Sequence, residues 1–269
     1  MRKIDTAANI SVLLIFGAVV YGIVVHYAPQ IETPGSVFAM INQWVAILTY
    51  TFLFFIFIGW VVRRQQMRTL NILQKKCDPY TYASRLLKAK GRYYNRRNKN
   101  INHQVAMEIN LAAAYDWQGV FDRAIDMLND IDIDGKPYLP GIRAIYYNNL
   151  FSCLIDAGRL DEAKSLFENK KYFMVAPMSR NNTDSAASPF ITYDYYFGNK
   201  EKAIGLLEDL YKRTIPLCNR LSILFLLAED DIEQRRTDRA RERLQEIIDK
   251  GNRLFLVDKA KELLETTST

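Results

Sequence analysis

Charge is missing from two long stretches of this chain, and histidine, cysteine and catalytic signatures are scarce in the rest. Between Ala7 and Tyr27, and again between Val37 and Val62, there is no Asp, Glu, Lys or Arg. An uncharged apolar run of this length is not the ordinary interior helix of a water-exposed domain. The 21 residues from Ala7 to Tyr27 would rise about 31 Å as a helix, against a hydrocarbon core of about 30 Å. The sequence therefore predicts a two-span hairpin, with spans at 7–27 and 37–62.

There are two histidines, His26 and His103, which leaves little material for histidine-based catalysis or a metal site. The three cysteines, Cys77, Cys153 and Cys218, are far apart and irregularly spaced. They form neither a CxxC pair nor a zinc pattern, and their odd number does not suit a disulfide framework. Cys77 follows Lys76, a neighbour that would favour the thiolate; Cys153 and Cys218 fall in apolar helical patterns as small core residues. No phosphate-binding glycine loop, dinucleotide fingerprint, zinc-protease motif or nucleophile elbow occurs. The acids Glu229, Asp230, Asp231 and Glu233 lack calcium-loop spacing and read as a solvated helix end. No cofactor, metal or catalytic residue is expected.

The net charge of +6 averages unlike regions. Residues 63–99 hold twelve Lys and Arg against one acid, whereas residues 100–269 hold 22 against 27. Arg2 and Lys3 precede the first span, and the loop 28–36 has no basic residue. Positive charge marks the cytoplasmic side of a span, so this pattern predicts a cell-membrane protein with both termini cytoplasmic. Residues 1–62 would be the anchor and 63–100 a basic neck with a short helix. Within it, Asp78 and Pro79 read as an N-cap and first helical residue, and Gly91 as the stop. Arg63, Arg64, Arg68, Arg96 and Arg97 are the expected contacts to anionic headgroups. Nucleic acid is not expected as a partner.

Residues 101–269 are dominated by a repeat. Gly119-Val-Phe-Asp-Arg-Ala124-Ile-Asp-Met-Leu128 recurs as Gly158 to Phe167 and as Gly198 to Leu207, then in weaker form as Arg235 to Leu244. The alanines Ala124, Ala163, Ala203 and Ala240 are spaced 39, 40 and 37 residues apart. Glycine permits the turn between two antiparallel helices, the small alanine allows close approach, and the large apolar residue four later fills the gap beside it. Apolar helical segments precede each unit, as at Ile109 to Trp117 and Ile145 to Ile155. Arg253 to Glu265 reads as an amphipathic capping helix.

On Leu111, Ala112, Tyr115, Gly119, Phe121, Ala124 and Leu128, and on their counterparts at Leu150, Gly158, Ala163 and Phe167, this region resembles the tetratricopeptide repeat family. It departs from the pattern at Phe151, Asp194, Asp231 and Arg235, and its period exceeds the family's. The excess is expected at Gly135-Lys136-Pro137 and between Met178 and Ser188. The resemblance implies an all-α solenoid whose first helices line a partner-binding groove. By position that groove would include Ile109, Ala113, Asp116, Asn148, Ser152, Ile155, Thr192, Tyr195, Phe225 and Glu229. Asp116, Asn148, Ser152, Thr192 and Tyr195 are the candidate partner contacts, and Asn148 would offer a donor and an acceptor to a peptide backbone. No Lys or Arg occupies the positions that capture a peptide carboxylate in chaperone-binding members.

The expected function is a membrane-tethered, non-enzymatic scaffold presenting this groove to a protein or peptide. The alternatives are a membrane signal sensor and an accessory subunit of a membrane enzyme or transporter.

Overall fold

The computed structural model describes residues 37–94, 100–174, 183–214 and 216–267. Among them are eleven helices and no strand. They are α1 (Val37–Gln74), α2 (Pro79–Tyr94), α3 (Ile101–Asp116), α4 (Phe121–Asn129), α5 (Pro140–Asp156), α6 (Leu160–Met174), α7 (Thr183–Phe197), α8 (Lys200–Arg213), α9 (Leu217–Glu233), α10 (Thr237–Lys250) and α11 (Phe255–Thr266). The chain divides into two compact units, Met1–Gln66 and Met67–Thr269.

Among the described residues no helix is long and apolar enough to cross a membrane. This finding overturns the expected two-span anchor and the cell-membrane location with cytoplasmic termini. The second expected span is not a separate element ending at Val62. It belongs to a helix of 38 residues that runs on through Arg63, Arg64 and Arg68 to Gln74. Within that helix Phe52, Phe55 and Trp60 are exposed. The other expected span, 7–27, lies outside the described residues.

In the second unit the repeat is an architecture of antiparallel helix pairs: α3 with α4, α5 with α6, α7 with α8, and α9 with α10. The four repeat alanines, Ala124, Ala163, Ala203 and Ala240, are completely buried. The large residues four later, Leu128, Phe167, Leu207 and Leu244, are buried as well. Each second helix thus buries a small alanine, with a large side chain one turn further on filling the space beside it.

Three of the four turns close identically. Val120, Arg159 and Arg236 donate their backbone N–H to the carbonyls of Tyr115, Leu154 and Asp231, at 3.0, 2.8 and 2.7 Å. The preceding residue takes a left-handed conformation each time: Gly119 at φ 79°, Gly158 at φ 74° and Arg235 at φ 57°. This is the helix-ending motif that glycine serves best. The third turn differs, because Asn199 caps α8 by accepting from the Lys202 N–H at 2.9 Å.

In the neck, Asp78 Oδ1 accepts from the Thr81 N–H at 3.0 Å, with Pro79 as the first helical residue. Gly91 does not end this helix, which continues to Tyr94. The loop carrying Gly135-Lys136-Pro137 runs from 130 to 139, whereas residues 183–188 are already helical.

The last helix does more than cap. α11 packs on α10, yet its start and the residues just before it also meet the first helix pair and the neck. Phe255 N–H donates to the Trp117 carbonyl at 3.2 Å, and the Phe255 and Phe121 rings meet edge to face at 5.0 Å. Arg253 N–H donates to the Cys77 carbonyl at 3.2 Å, and the Asn252 side chain to the Lys76 carbonyl at 2.7 Å. One hydrophobic core therefore includes Ile72 and Tyr82 near its beginning and Leu254, Leu256 and Ala260 at its end. Ile191, Tyr195, Ala203, Leu207, Leu210, Ile223 and Leu227 form a smaller second cluster.

Candidate functional site: a carboxylate cluster at the ends of the first helices

Asp116 and Asp156 are the final residues of α3 and α5, and Glu229 lies in the last turns of α9. The backbone dipole is negative at a helix C-terminus, so three carboxyls stand where anions are least welcome. Asp116 is only 7% exposed. Burial, and after it the neighbouring Asp156, pushes its carboxyl well above the usual range. The nearby Cys153 thiol opposes the rise. Asp116 Oδ1 is buried and has no hydrogen-bond partner among the described residues. Burial also raises Asp156, with Lys259 of α11 acting against it. Glu229 is pushed up to about 7 by burial, with Lys259 and Lys200 opposing and Glu233 and Asp156 adding to the rise.

Tyr196 of α7 borders the same space, since Glu229 and Asp156 both add to the upward shift that burial imposes on its hydroxyl. First helices of all four pairs thus carry a group whose pKa is raised by burial. Among the described residues Lys259 is the one cation that acts on all three carboxyls. Its Nζ lies 5.1 Å from the Phe255 ring centroid and 5.5 Å from that of Phe121. Among the described residues no ion pair within 4.0 Å joins it to Asp116, Asp156 or Glu229.

The candidate contacts named from sequence divide between this centre and other places. Asp116 belongs to it. Asn148 is half-buried in the middle of α5, and its Oδ1 is buried without a partner among the described residues. Ser152, one turn on, is exposed, and Thr192 is half-buried. Tyr195 is buried in the smaller cluster, its hydroxyl donating to the Leu226 carbonyl at 3.2 Å and its ring lying 4.7 Å from Lys200 Nζ. Arg63, Arg64 and Arg68 are exposed, with the Arg64 guanidinium 5.0 Å from the Trp60 ring, while Arg96 and Arg97 lie outside the described residues.

Sequence reading missed Asp156, Tyr196 and Lys259. Asp156 and Tyr196 each stand seven residues before a repeat alanine, Ala163 and Ala203, and that shared register was a usable signal. Nothing local marks Lys259.

Two other expectations change. Cys77 is completely buried, and burial pushes its thiol up to about 11, the reverse of an activated thiolate. Asp230 and Asp231 are buried rather than solvated. Asp231 accepts from Arg236 Nε at 2.6 Å and meets Arg243 at 3.0 Å, which locks the fourth turn. Among the described residues no group of three or more His, Cys, Asp and Glu is placed to hold a metal ion.

No known protein family, curated protein or solved structure matches the chain.

Proposed function

We propose that residues 67–269 are a tetratricopeptide-like interaction module that holds a protein or peptide partner against the first helices of its pairs. The observation that carries this reading is the set of unpartnered buried acceptors, Asp116 Oδ1 and Asn148 Oδ1, on two successive first helices. A buried polar atom without a partner costs about 1–3 kcal/mol, so a fold that keeps two of them is adapted to a ligand that satisfies them. The repeat supports the same reading, because stacked helix pairs present a continuous inner surface that a single pair lacks. The module acts by holding its partner and carries out no reaction itself.

The test is crosslinking of the full chain in cells, followed by capture and identification of the crosslinked partner. Asn148→Ala is the comparison, because it removes an acceptor that supports no observed contact. A stoichiometric partner lost in the variant, with the helical content unchanged, is the expected result. A partner held equally by both proteins would move recognition away from these helices, and a chain with no stoichiometric partner would end the scaffold reading.

A further inference from the structure

Ten residues, 130–139, join α4 to α5, against about 2–8 in most helix connections. The loop is fixed at several points. Asp134 accepts from the Tyr147 hydroxyl and from Lys170 Nζ, both at 2.7 Å. Leu139 N–H donates to Asn102 Oδ1 at 3.1 Å, and the Arg143 guanidinium donates to the Lys136 carbonyl at 3.2 Å. A long connection held in this way has the character of a binding loop. Here it walls a cleft of about 570 Å³, whose other sides are α2, α3 and α4. That volume is in the range that takes a small ligand. Val105 and Leu111 line the cleft as buried residues, with Met127 and Ile131 half-buried beside them.

Tyr115 and Tyr138 line it too, at 8% and 7% exposure, and neither hydroxyl has a hydrogen-bond partner among the described residues. Neither oxygen is sealed off from solvent, and the cleft is the space that both side chains border. The Arg123 guanidinium lies 4.1 Å from the Tyr115 ring centroid, a stack that fixes its charge at the cleft. Among the described residues Arg123 and Lys136, which also line the cleft, have no ion pair within 4.0 Å. Three acids stand on the same walls. Glu108 meets Lys90 Nζ at 2.7 Å, Asp132 accepts from the Gly135 N–H at 3.0 Å, and Asp130 is exposed at the end of α4. Apart from Asp130, the groups left without a protein partner are donors.

We propose that this cleft binds a carboxylate carried on an apolar body. The apolar part lies on Val105, Leu111, Met127 and Ile131. The carboxylate accepts from Arg123 and from the Tyr115 and Tyr138 hydroxyls, with Lys136 at the lip. A carboxylate accepts about four hydrogen bonds, which matches this donor set. Bonds of this charge-assisted kind are the strong ones, and arginine offers two of them in a fixed fork. Such a ligand is either a free small acid or the C-terminal residue of a polypeptide. The cleft contains neither Asp116 nor Asn148, so it stands apart from the scaffold reading.

The experiment uses the full chain, with hexanoate and hexanamide as probes, followed by calorimetry and methyl NMR. In the unaltered protein hexanoate should shift the methyl resonances of Val105, Leu111, Met127 and Ile131. Hexanamide keeps the body and loses the charge, so it should bind at least about tenfold more weakly. Arg123→Ala should weaken hexanoate about tenfold with the helical content unchanged, because Arg123 is exposed. Tyr138→Phe keeps the ring and should weaken it by a smaller factor. A trialanyl-leucine peptide with a free C-terminus, set against its C-terminal amide, separates the two sources within the proposal. Binding tighter than hexanoate assigns the cleft to a chain end, and weaker binding assigns it to a free acid. Equal binding of hexanoate and hexanamide overturns the carboxylate site. Methyl resonances unmoved at ~10 mM hexanoate overturn it as well. The same holds for equal affinity in the parent, Arg123→Ala and Tyr138→Phe.

Discussion

The backbone N–H of Phe255 donates to the carbonyl of Trp117 at 3.2 Å, tying the start of the last helix to the turn of the first helix pair. With the bonds from Arg253 to the Cys77 carbonyl and from Asn252 to the Lys76 carbonyl, it ties the end of the module back to its beginning. Lys259, one turn further along α11, opposes the upward shift of acids that come from three different helix pairs. Phe255→Ala should loosen this closure first. The expected outcome is faster hydrogen exchange across residues 255–266, and a stability loss of about 1–3 kcal/mol for a partly buried ring. Unchanged exchange in α11 would show that its packing on α10 alone holds it.

Gly119 and Gly158 have the same left-handed backbone but different surroundings. A Cβ at Gly119 would lie 3.0 Å from the Phe255 Cβ, whereas one at Gly158 meets nothing within 4 Å. Gly158→Ala should cost about 1–2 kcal/mol from backbone strain alone, and Gly119→Ala more, because the last helix must also shift. Urea midpoints of the two variants measured side by side decide this.

Arg235 holds a left-handed conformation at φ 57° in the place glycine fills in the first two turns. Its side chain is exposed. Arg235→Gly should stabilise the module by about 0.5–1 kcal/mol, the strain relieved outweighing the extra freedom of the unfolded glycine. A lower thermal midpoint in the variant would mean that the Arg235 side chain makes a contribution larger than the strain.

Asp231 is completely buried, with Arg236 and Arg243 within 3.0 Å. Asp231→Ala removes a buried acceptor from both guanidinium groups, which keep Asp230 and Glu208 as partners, and should cost about 1–3 kcal/mol. Arg236→Ala should cost less, because the Arg236 side chain is 41% exposed and water replaces part of the loss. Chemical denaturation of the two single variants gives the ordering.

The carboxylate cluster makes the module less stable as the pH rises. Glu229 is raised from its ordinary 4.5 to about 7, so between those values the folded chain holds a proton that the unfolded chain has released. Stability from this group is fully present below about pH 4.5 and is lost as pH rises through about 7. Asp116 and Asp156 are raised too and act in the same direction. Asp78, Asp134 and Glu246 are lowered and change stability only at more acid pH. Denaturation midpoints should therefore fall between about pH 5 and pH 8, with a shallower slope in Glu229→Gln. A midpoint that rises over this range would show that the cluster is ionised and compensated in the native state.

The helix pairs were legible before any coordinates because their determinants are local and repeated. Gly119, Ala124 and Leu128 recur at one spacing, and burial of all four alanines follows from the contact that this spacing dictates. Arg235 shows the limit of that reading. Arg235 departs from the glycine of the pattern, but the Arg236 N–H still reaches the Asp231 carbonyl, and Arg236 is anchored by buried acids. The uncharged run 37–62 misled for the opposite reason. Composition was read there without the element boundary, and the helix containing it continues past three arginines to Gln74.

The sequence by itself determined the all-helical class, the positions of the turns and the residues that seal each pair, since all of these depend on neighbours within about forty residues. It did not determine the polar centre. Asp116, Asp156, Tyr196, Glu229 and Lys259 share no spacing that links them all, and each alone resembles an ordinary helix-end residue. Only the tertiary structure brings them together, because the return of α11 to the first pair depends on distant contacts between Phe255 and Trp117 and between Arg253 and Cys77. Burial then raises the three carboxyls and the Tyr196 hydroxyl, a character that none of them has in an isolated helix.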